Sequence, residues 1–408
     1  MELSPVAGAA TDARQRSNST NATPMHNHYS ASRTDHKKAK AISDAIDKSL
    51  KVDKERLQKE TGIKLLILGP AETGKTTVLK QLKLLYGRKG LDAERETYRR
   101  IVHLNVMKAI QALIEGLEET NIPLEDPANI PHLDMVADHI ESALKKYSVT
   151  SIHGFTNPAI PRKITDAKAE TDMFAEMAPA IKALWADGSI QKIFHTCTQL
   201  RIQDSAKYFL DTVDRISHPE YIPSDDDILQ ARVKTLAVTE HVFHIENVAY
   251  RIYDVGGQKS LRKYWAPYFD DVNAVIFMAA LSAYDQPCED DARLNRLQEC
   301  LVLFNQIANH KLFELTSMIL FLNKIDIFQR KLDSGSMVSK YFPEYHGPND
   351  YLSTTVFFQY RFMQQCKDLQ KQVYTHFTHA TDTNQMRVIV VAVNTIVQRL
   401  NLRISGLI

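Results

Sequence analysis

The run Leu65-Leu66-Ile67-Leu68-Gly69-Pro70-Ala71-Glu72-Thr73-Gly74-Lys75-Thr76 constrains this chain more than any other feature. A short apolar stretch, of the kind that forms a buried strand, breaks into a glycine-bounded loop that ends in lysine and threonine. This is the full G-x-x-x-x-G-K-[ST] pattern, with a strand before it and a helix after it. Backbone N–H groups of such a loop and of the next helix's N-terminus attract phosphate oxygens. Lys75 is predicted to reach the β and γ phosphates of a nucleotide, and the Thr76 hydroxyl to ligate Mg²⁺. A plain glycine turn capped by an amphipathic helix would satisfy the same letters, so the remaining motifs decide between the two.

The 408 residues, 44% hydrophobic and 24% charged, suffice for a sizeable core and for two domains. A formal net charge of +1 gives no ground for nucleic acid as a partner, and none is expected. The four cysteines, Cys197, Cys288, Cys300 and Cys366, lack metal-ligand spacing and read as small buried hydrophobes in a reducing compartment. No apolar run approaches the ~18 residues of a transmembrane helix. The start, Met1-Glu2-Leu3-Ser4-Pro5, lacks the apolar stretch of a signal peptide. Glu2 stands where N-myristoylation needs glycine, and no cysteine lies nearby for palmitoylation.

Residues 1–32, rich in Ser, Thr, Ala, Asn and His, read as a disordered tail. From 33 to 60 a charged segment carries Ile42, Ile46, Leu50, Val52 and Leu57 as a sparse apolar stripe, which predicts a surface helix. A strand at 64–69 and a helix at 75–86 follow. Residues 91–216 read as a separate helical domain, with Tyr98, Ile101, Val102, Val106, Ile110 and Leu113-Ile114 at helical spacing. It would interrupt a host domain made of 61–90 and 217–408. There Val242–Ile245 and Val248–Tyr253 read as a hairpin or edge pair. Ala274–Phe277, Met318–Phe321 and Arg387–Val391 read as buried strands alternating with helices. That rhythm predicts an α/β fold with a mostly parallel sheet covered on both faces.

Three further motifs follow in order. Asp254-Val255-Gly256-Gly257-Gln258 comes at a strand's end: Asp254 can hold Mg²⁺ through water, Gly257 can approach a γ-phosphate without a side-chain clash, and Gln258 can orient a water. Asn323-Lys324-Ile325-Asp326 also follows a strand. Asp326 can accept from guanine N1–H and its 2-amino group, a donor pair that adenine lacks. Asn323 would hold the base or the phosphate loop, and the Lys324 stem would lie along the ring. In Asp227-Ile228-Leu229-Gln230-Ala231-Arg232-Val233-Lys234-Thr235, Arg232 could meet charge developing on a transferred phosphoryl group, or could be an ordinary loop cation. Thr235 would add a second hydroxyl on the metal.

With these elements in order the chain resembles the α subunit of a heterotrimeric guanine-nucleotide-binding protein over about residues 35–408. Further matching stretches are Leu79-Lys80-Gln81-Leu82-Lys83, Asp204-Ser205-Ala206-Lys207-Tyr208-Phe209-Leu210, Leu281-Ser282-Ala283-Tyr284-Asp285-Gln286 and Thr381-Asp382-Thr383-Asn384. The overall look is that of a divergent, fungal member. The resemblance implies a Ras-like P-loop GTPase domain with an inserted all-helical domain, and GTP or GDP with Mg²⁺ in the cleft between them. It implies Arg232 and Gln258 as catalytic residues, and Thr76, Thr235 and, through water, Asp254 as metal contacts. Glu72, Thr73, Gly74, Lys75, Thr76, Thr77, Asp204, Ser205, Leu229, Gln230, Ala231, Arg232, Thr235, Gly257, Asn323, Lys324, Asp326 and Ala380 are its implied nucleotide-binding residues. The implied function is a receptor-coupled GTPase switch; a GTP-dependent protein-binding module with negligible hydrolysis is the alternative.

The implied partners are a βγ dimer on segment 33–60 and on switch II near Lys259–Phe269, an effector, and a heptahelical receptor on the C-terminal residues 401–408. The implied location is the cytoplasm and the cytoplasmic face of the plasma membrane, without the usual N-terminal lipidation motif. Several residues depart from the family pattern. Ala71 replaces a glycine next to Pro70, which is expected to crowd Gln258 and slow hydrolysis. Leu236-Ala237 replaces threonine-glycine where RGS-type regulators press, which leaves that partnership open. His379 replaces cysteine, Lys259 and Leu261 replace arginine and glutamate, and Ser405 stands where some relatives carry a modifiable cysteine.

Overall fold

The computed structural model describes residues 62–404, apart from 147–166, 197–199, 201, 246–247, 289–290, 292, 315 and 369. All described residues lie in one compact unit, Glu60–Ile408. The expected tail, the surface helix at 33–60 and the last four residues lie outside the described residues.

The strands are β1 (Ile63–Leu68), β2 (Thr239–Ile245), β3 (Val248–Asp254), β4 (Ala274–Ala280), β5 (Ser317–Asn323) and β6 (Val373–Thr378). The longer helices are α1 (Lys75–Tyr86), α2 (Arg88–Thr120), α3 (Ile130–Lys146), α4 (Ala167–Ala186) and α5 (Gly188–Thr196). Short ones follow: α6 (Ala206–Asp211), α7 (Val213–Ile216) and α8 (Asp225–Gln230). Then come α9 (Arg296–Ala308), α10 (Ile325–Asp333), α11 (Val338–Tyr341), α12 (Tyr351–Met363) and α13 (Thr383–Ile404).

The strands form one sheet in the order β2-β3-β1-β4-β5-β6, parallel throughout except for the antiparallel edge pair β2–β3. This is the mostly parallel α/β sheet expected of a Ras-like domain. Its central strands are apolar on both faces because side chains alternate. Leu66 and Leu68 of β1, with Phe277 of β4 and Leu320 of β5, pack against α9, α10 and α12. Leu65 and Ile67, with Ile276 and Phe321, pack against α1 and α13 on the other side.

The helices from α2 to α8 enclose a core of their own, built on Val102, Val106, Ile110, Phe174, Ile181 and Phe209. Ile228 and Leu229 of α8 are buried in it, so the stretch leading to Arg232 packs as part of the helical insertion.

One element differs from expectation. Arg387–Val391 is part of α13, and the last strand is Val373–Thr378. The β-branched letters suggested a strand, but the buried positions Met386, Ile389, Val390, Val393 and Val397 follow a helical period, while Val388 and Val391 face solvent.

Parallel pairing of β1, β3, β4, β5 and β6 brings their C-terminal ends to one edge of the sheet, where open α/β sheets hold ligands. The loops 69–74, 255–258, 323–326 and 379–382 all emerge there.

Candidate functional site

The phosphate-loop residues take the backbone conformations that the pattern requires. Gly69 and Gly74 have φ of +142° and +100°. A Cβ on Gly74 would sit 2.2 Å from Asn323 Nδ2, and one on Gly69 2.3 Å from the Met278 carbonyl oxygen. Neither glycine can be replaced without moving a neighbour. Thr73 Oγ1 donates to the Pro70 carbonyl at 3.0 Å. Lys75 Nζ lies inside the loop and donates to the carbonyls of Gly69 and Pro70 at 2.9 and 2.7 Å. Burial pushes its ammonium down to about 8, although Asp254 draws it the other way. An anion in the loop would draw it back up.

Three chain segments converge on a small oxygen cluster. Thr76 Oγ1, on the first turn of α1, donates to Asp254 Oδ2 at 2.8 Å and lies 2.8 Å from Thr235 Oγ1. Asp254 is buried and its second oxygen, Oδ1, has no hydrogen-bond partner among the described residues. Burial raises the Asp254 carboxyl above its ordinary range, against the pull of Lys75. Two hydroxyls and a carboxylate with a spare acceptor form a hard-oxygen set that suits Mg²⁺. The residues present fit the ion that the sequence implies.

Gly257 follows, tight against the loop: a Cβ there would come within 2.3 Å of Lys75 Nζ and 2.5 Å of the Pro70 carbonyl oxygen. The stretch after Gln258 is a pair of 3₁₀ turns, Lys259–Tyr264 and Ala266–Tyr268. Trp265 Nε1 donates to the Gly256 carbonyl at 2.9 Å, and Arg262 forms an ion pair with Glu299.

At the other end of the cleft Asn323 joins three segments. Its Nδ2 donates to the Thr73 carbonyl at 2.8 Å, and its Oδ1 accepts from Thr378 Oγ1 at 2.9 Å and Ala380 N at 3.1 Å. The Ala380 N–H, of a residue the resemblance implies at the nucleotide, thus donates to Asn323. Lys324 adopts a left-handed conformation (φ 63°) and its ammonium pairs with Asp204 of the helical insertion. Burial alone would raise the Asp204 carboxyl; Lys324 overrides it and holds it below the ordinary range. Asp326 has His379 Nε2 at 3.4 Å and Arg330 Nη2 at 3.5 Å from Oδ2.

All the residues expected to bind nucleotide, metal or water, except Thr73 and Asp254, line one cleft of about 590 Å³. Thr73 lines a neighbouring cleft of about 860 Å³, and Asp254 sits behind Thr76. Arg232 lines both clefts. Its guanidinium pairs with Glu72, which also pairs with Arg296 at 3.1 Å. Burial would raise the Glu72 carboxyl, but the two arginines hold it below its ordinary value. Gln258 is half-buried and also lines both clefts.

Three contributors were not singled out from sequence. Arg296, the first residue of α9, gave no signal. Lys80 lies within a recognised stretch, yet its burial was not foreseen: its ammonium donates to the carbonyls of Ile228 and Ala231 at 2.8 and 2.5 Å, and burial pushes it down to about 7. Asn105 accepts from the Arg232 N–H at 2.6 Å and donates to the Arg232 carbonyl at 3.2 Å. A carboxamide amid the apolar stripe of α2 was the available clue.

A family model described as the G-protein alpha subunit matches residues 40–397. The chain is 40% identical over 376 residues to the G-protein complex alpha subunit of Aspergillus fumigatus, covering 92% of this chain and 98% of that protein. It is 40% identical over 380 residues to the guanine nucleotide-binding protein alpha-1 subunit of Mycosarcoma maydis, with 92% and 99% covered. With the alpha-1 subunit of Neurospora crassa it shares 39% over 376 residues, with 92% and 98% covered.

Proposed function

The chain belongs to the G-protein alpha-subunit family, and we propose that it works as a self-timed GTPase switch whose timing residues are Arg232 and Gln258. It binds guanine nucleotide and hydrolyses GTP in G-protein signalling, as its family membership carries. The observation supporting the residue roles is the convergence of Thr76, Thr235 and Asp254 beside Lys75, with Arg232 and Gln258 on the same cleft.

In this reading the loop N–H groups and Lys75 hold the β and γ phosphates. Arg232 meets the charge that develops on the γ-phosphoryl oxygens, and Gln258 orients the attacking water. Mg²⁺, when bound by Thr76, Thr235 and, through water, Asp254, would neutralise phosphate charge. Asp326 selects guanine through its two acceptor oxygens. Thr235 and the 256–265 segment stay ordered while the γ-phosphate is present and loosen after hydrolysis. Those surfaces would exchange effector for βγ, with the C-terminal residues meeting a heptahelical receptor. The lobe at 91–216 would act as the cover of the cleft. A place at the cytoplasmic face of the plasma membrane would follow from these partners; no described helix is long and apolar enough to cross a membrane.

Ala71 favours a second reading, a GTP-held binding module, because it lines both clefts together with Gln258. Single-turnover hydrolysis of γ-labelled GTP decides between them. A rate on the order of 10⁻² s⁻¹ that collapses in Arg232→Ala is the expected result. Tight binding without phosphate release would instead establish the held module.

A further inference from the structure

We propose that Asn105 is the positioning residue for Arg232, so that the helical insertion sets the register of the catalytic arginine. The proposal rests on the role given above to Arg232.

Asn105 sits midway along α2 and is buried. A buried carboxamide on the apolar face of a helix is costly unless both its ends are paired. Both ends find partners on one residue: Oδ1 accepts from the Arg232 N–H and Nδ2 donates to the Arg232 carbonyl. The orientation of the amide is unambiguous, since an N–H needs an acceptor and a C=O a donor. Two bonds to the N–H and C=O of one residue act as a short β-bridge and fix its backbone on both sides of Cα.

Arg232 needs such support because it lies in an irregular stretch. The helix α8 ends at Gln230, and β2 begins at Thr239. Its neighbour is tied down as well: the Ala231 N–H donates to the Asp227 carbonyl at 2.8 Å, and the Ala231 carbonyl accepts from Lys80. Lys80 comes from α1 beside the phosphate loop, whereas Asn105 comes from the helical insertion. The arginine backbone is therefore located from both lobes, and Asn105 supplies the bonds to the N–H and C=O of Arg232. A guanidinium on a freely pivoting backbone would still reach Glu72, but would not stay aimed at one phosphoryl position. Misplacement of about 1 Å costs on the order of 100-fold in rate.

The test is a double-mutant cycle read by single-turnover hydrolysis of preloaded GTP, with nucleotide-binding stoichiometry as the control for folding. Asn105→Ala is expected to slow hydrolysis about tenfold while stoichiometric GTP binding persists. In the Arg232→Ala background the same substitution is expected to change nothing further. An equal slowing in both backgrounds, or a wild-type rate in the single variant, overturns the proposal. If Arg232→Ala itself hydrolyses normally, the role given to Arg232 is what fails. Should Asn105→Ala not bind nucleotide, Asn105→Asp runs the same cycle: it keeps the acceptor for the Arg232 N–H and sets oxygen against oxygen at the carbonyl.

Discussion

At the scale of single residues, the phosphate loop shows how far a few positions carry the site. Gly74 is doubly constrained, by a positive φ and by Asn323 Nδ2 at 2.2 Å from any Cβ. Gly74→Ala is expected to cost about 1–3 kcal/mol in thermal stability and to abolish tight GTP binding, as read by melting and by nucleotide titration. Ala71 is the opposite case, a methyl where a smaller residue would serve. Its carbonyl accepts from Arg296 at 3.3 Å, and it shares both clefts with Gln258. Ala71→Gly is expected to raise single-turnover hydrolysis about tenfold, equivalent to about 1.4 kcal/mol of barrier. An unchanged rate would clear the methyl of any part in timing.

At the scale of elements, the helical insertion is organised by buried polar groups that hold α8, and so Arg232, in place. Asp227 is fully buried, caps α8 through Ser224, and accepts from Tyr208 and twice from Arg215. Burial alone would raise its carboxyl; the Arg215 and backbone bonds bring it down to about 2. His103 stacks on Phe174 with ring centroids 4.0 Å apart, and burial pushes it down to about 4. The folded state therefore holds His103 neutral where an unfolded chain would protonate it. Stability is full above about pH 6.5 and falls as the pH drops toward 4, by up to about 3 kcal/mol. His103→Phe is expected to flatten that part of the melting-temperature profile against pH.

Elements were legible from sequence where one period dominated. The strand before the phosphate loop and the long helix α2 follow from their apolar spacing. Arg387–Val391 was misread because isoleucine and valine suit strands, while the helix they join is dictated by packing of every third or fourth residue on the sheet. Val373–Thr378 escaped notice because its edge position leaves most of its side chains half-buried, so no apolar run announces it. The motif residues were legible as a set because each motif was read at the end of an apolar strand, and the parallel sheet brings those ends to one cleft. Arg296 and Lys80 were not, since their roles depend on which distant carbonyl or carboxylate the fold brings near.

At the scale of the whole molecule, the cleft is spanned by the Lys324–Asp204 ion pair, which joins the loop after β5 to the helical insertion. Surface pairs contribute up to about 1 kcal/mol. Asp204→Asn is accordingly expected to speed release of a fluorescent GDP analogue several-fold, and added salt is expected to narrow the difference. A release rate matching the unmodified protein would mean that the pair does not restrain opening.

The Glu72 ion pair with Arg232 stands between two clefts. The smaller cleft and the larger one beside it share a wall formed by Ala71, Glu72, Arg232, Gly257 and Gln258. That partition adjoins Lys75, the residue proposed to hold the γ-phosphate, through Gly257, and part of it is a side-chain contact rather than a strand or helix. Under the proposed switch reading, separating the two side chains would give a small product anion an exit past Arg262 and Arg296, on the side away from Asp326 and Asn323. Departure of phosphate and departure of the diphosphate would then be separate events, each with its own doorway.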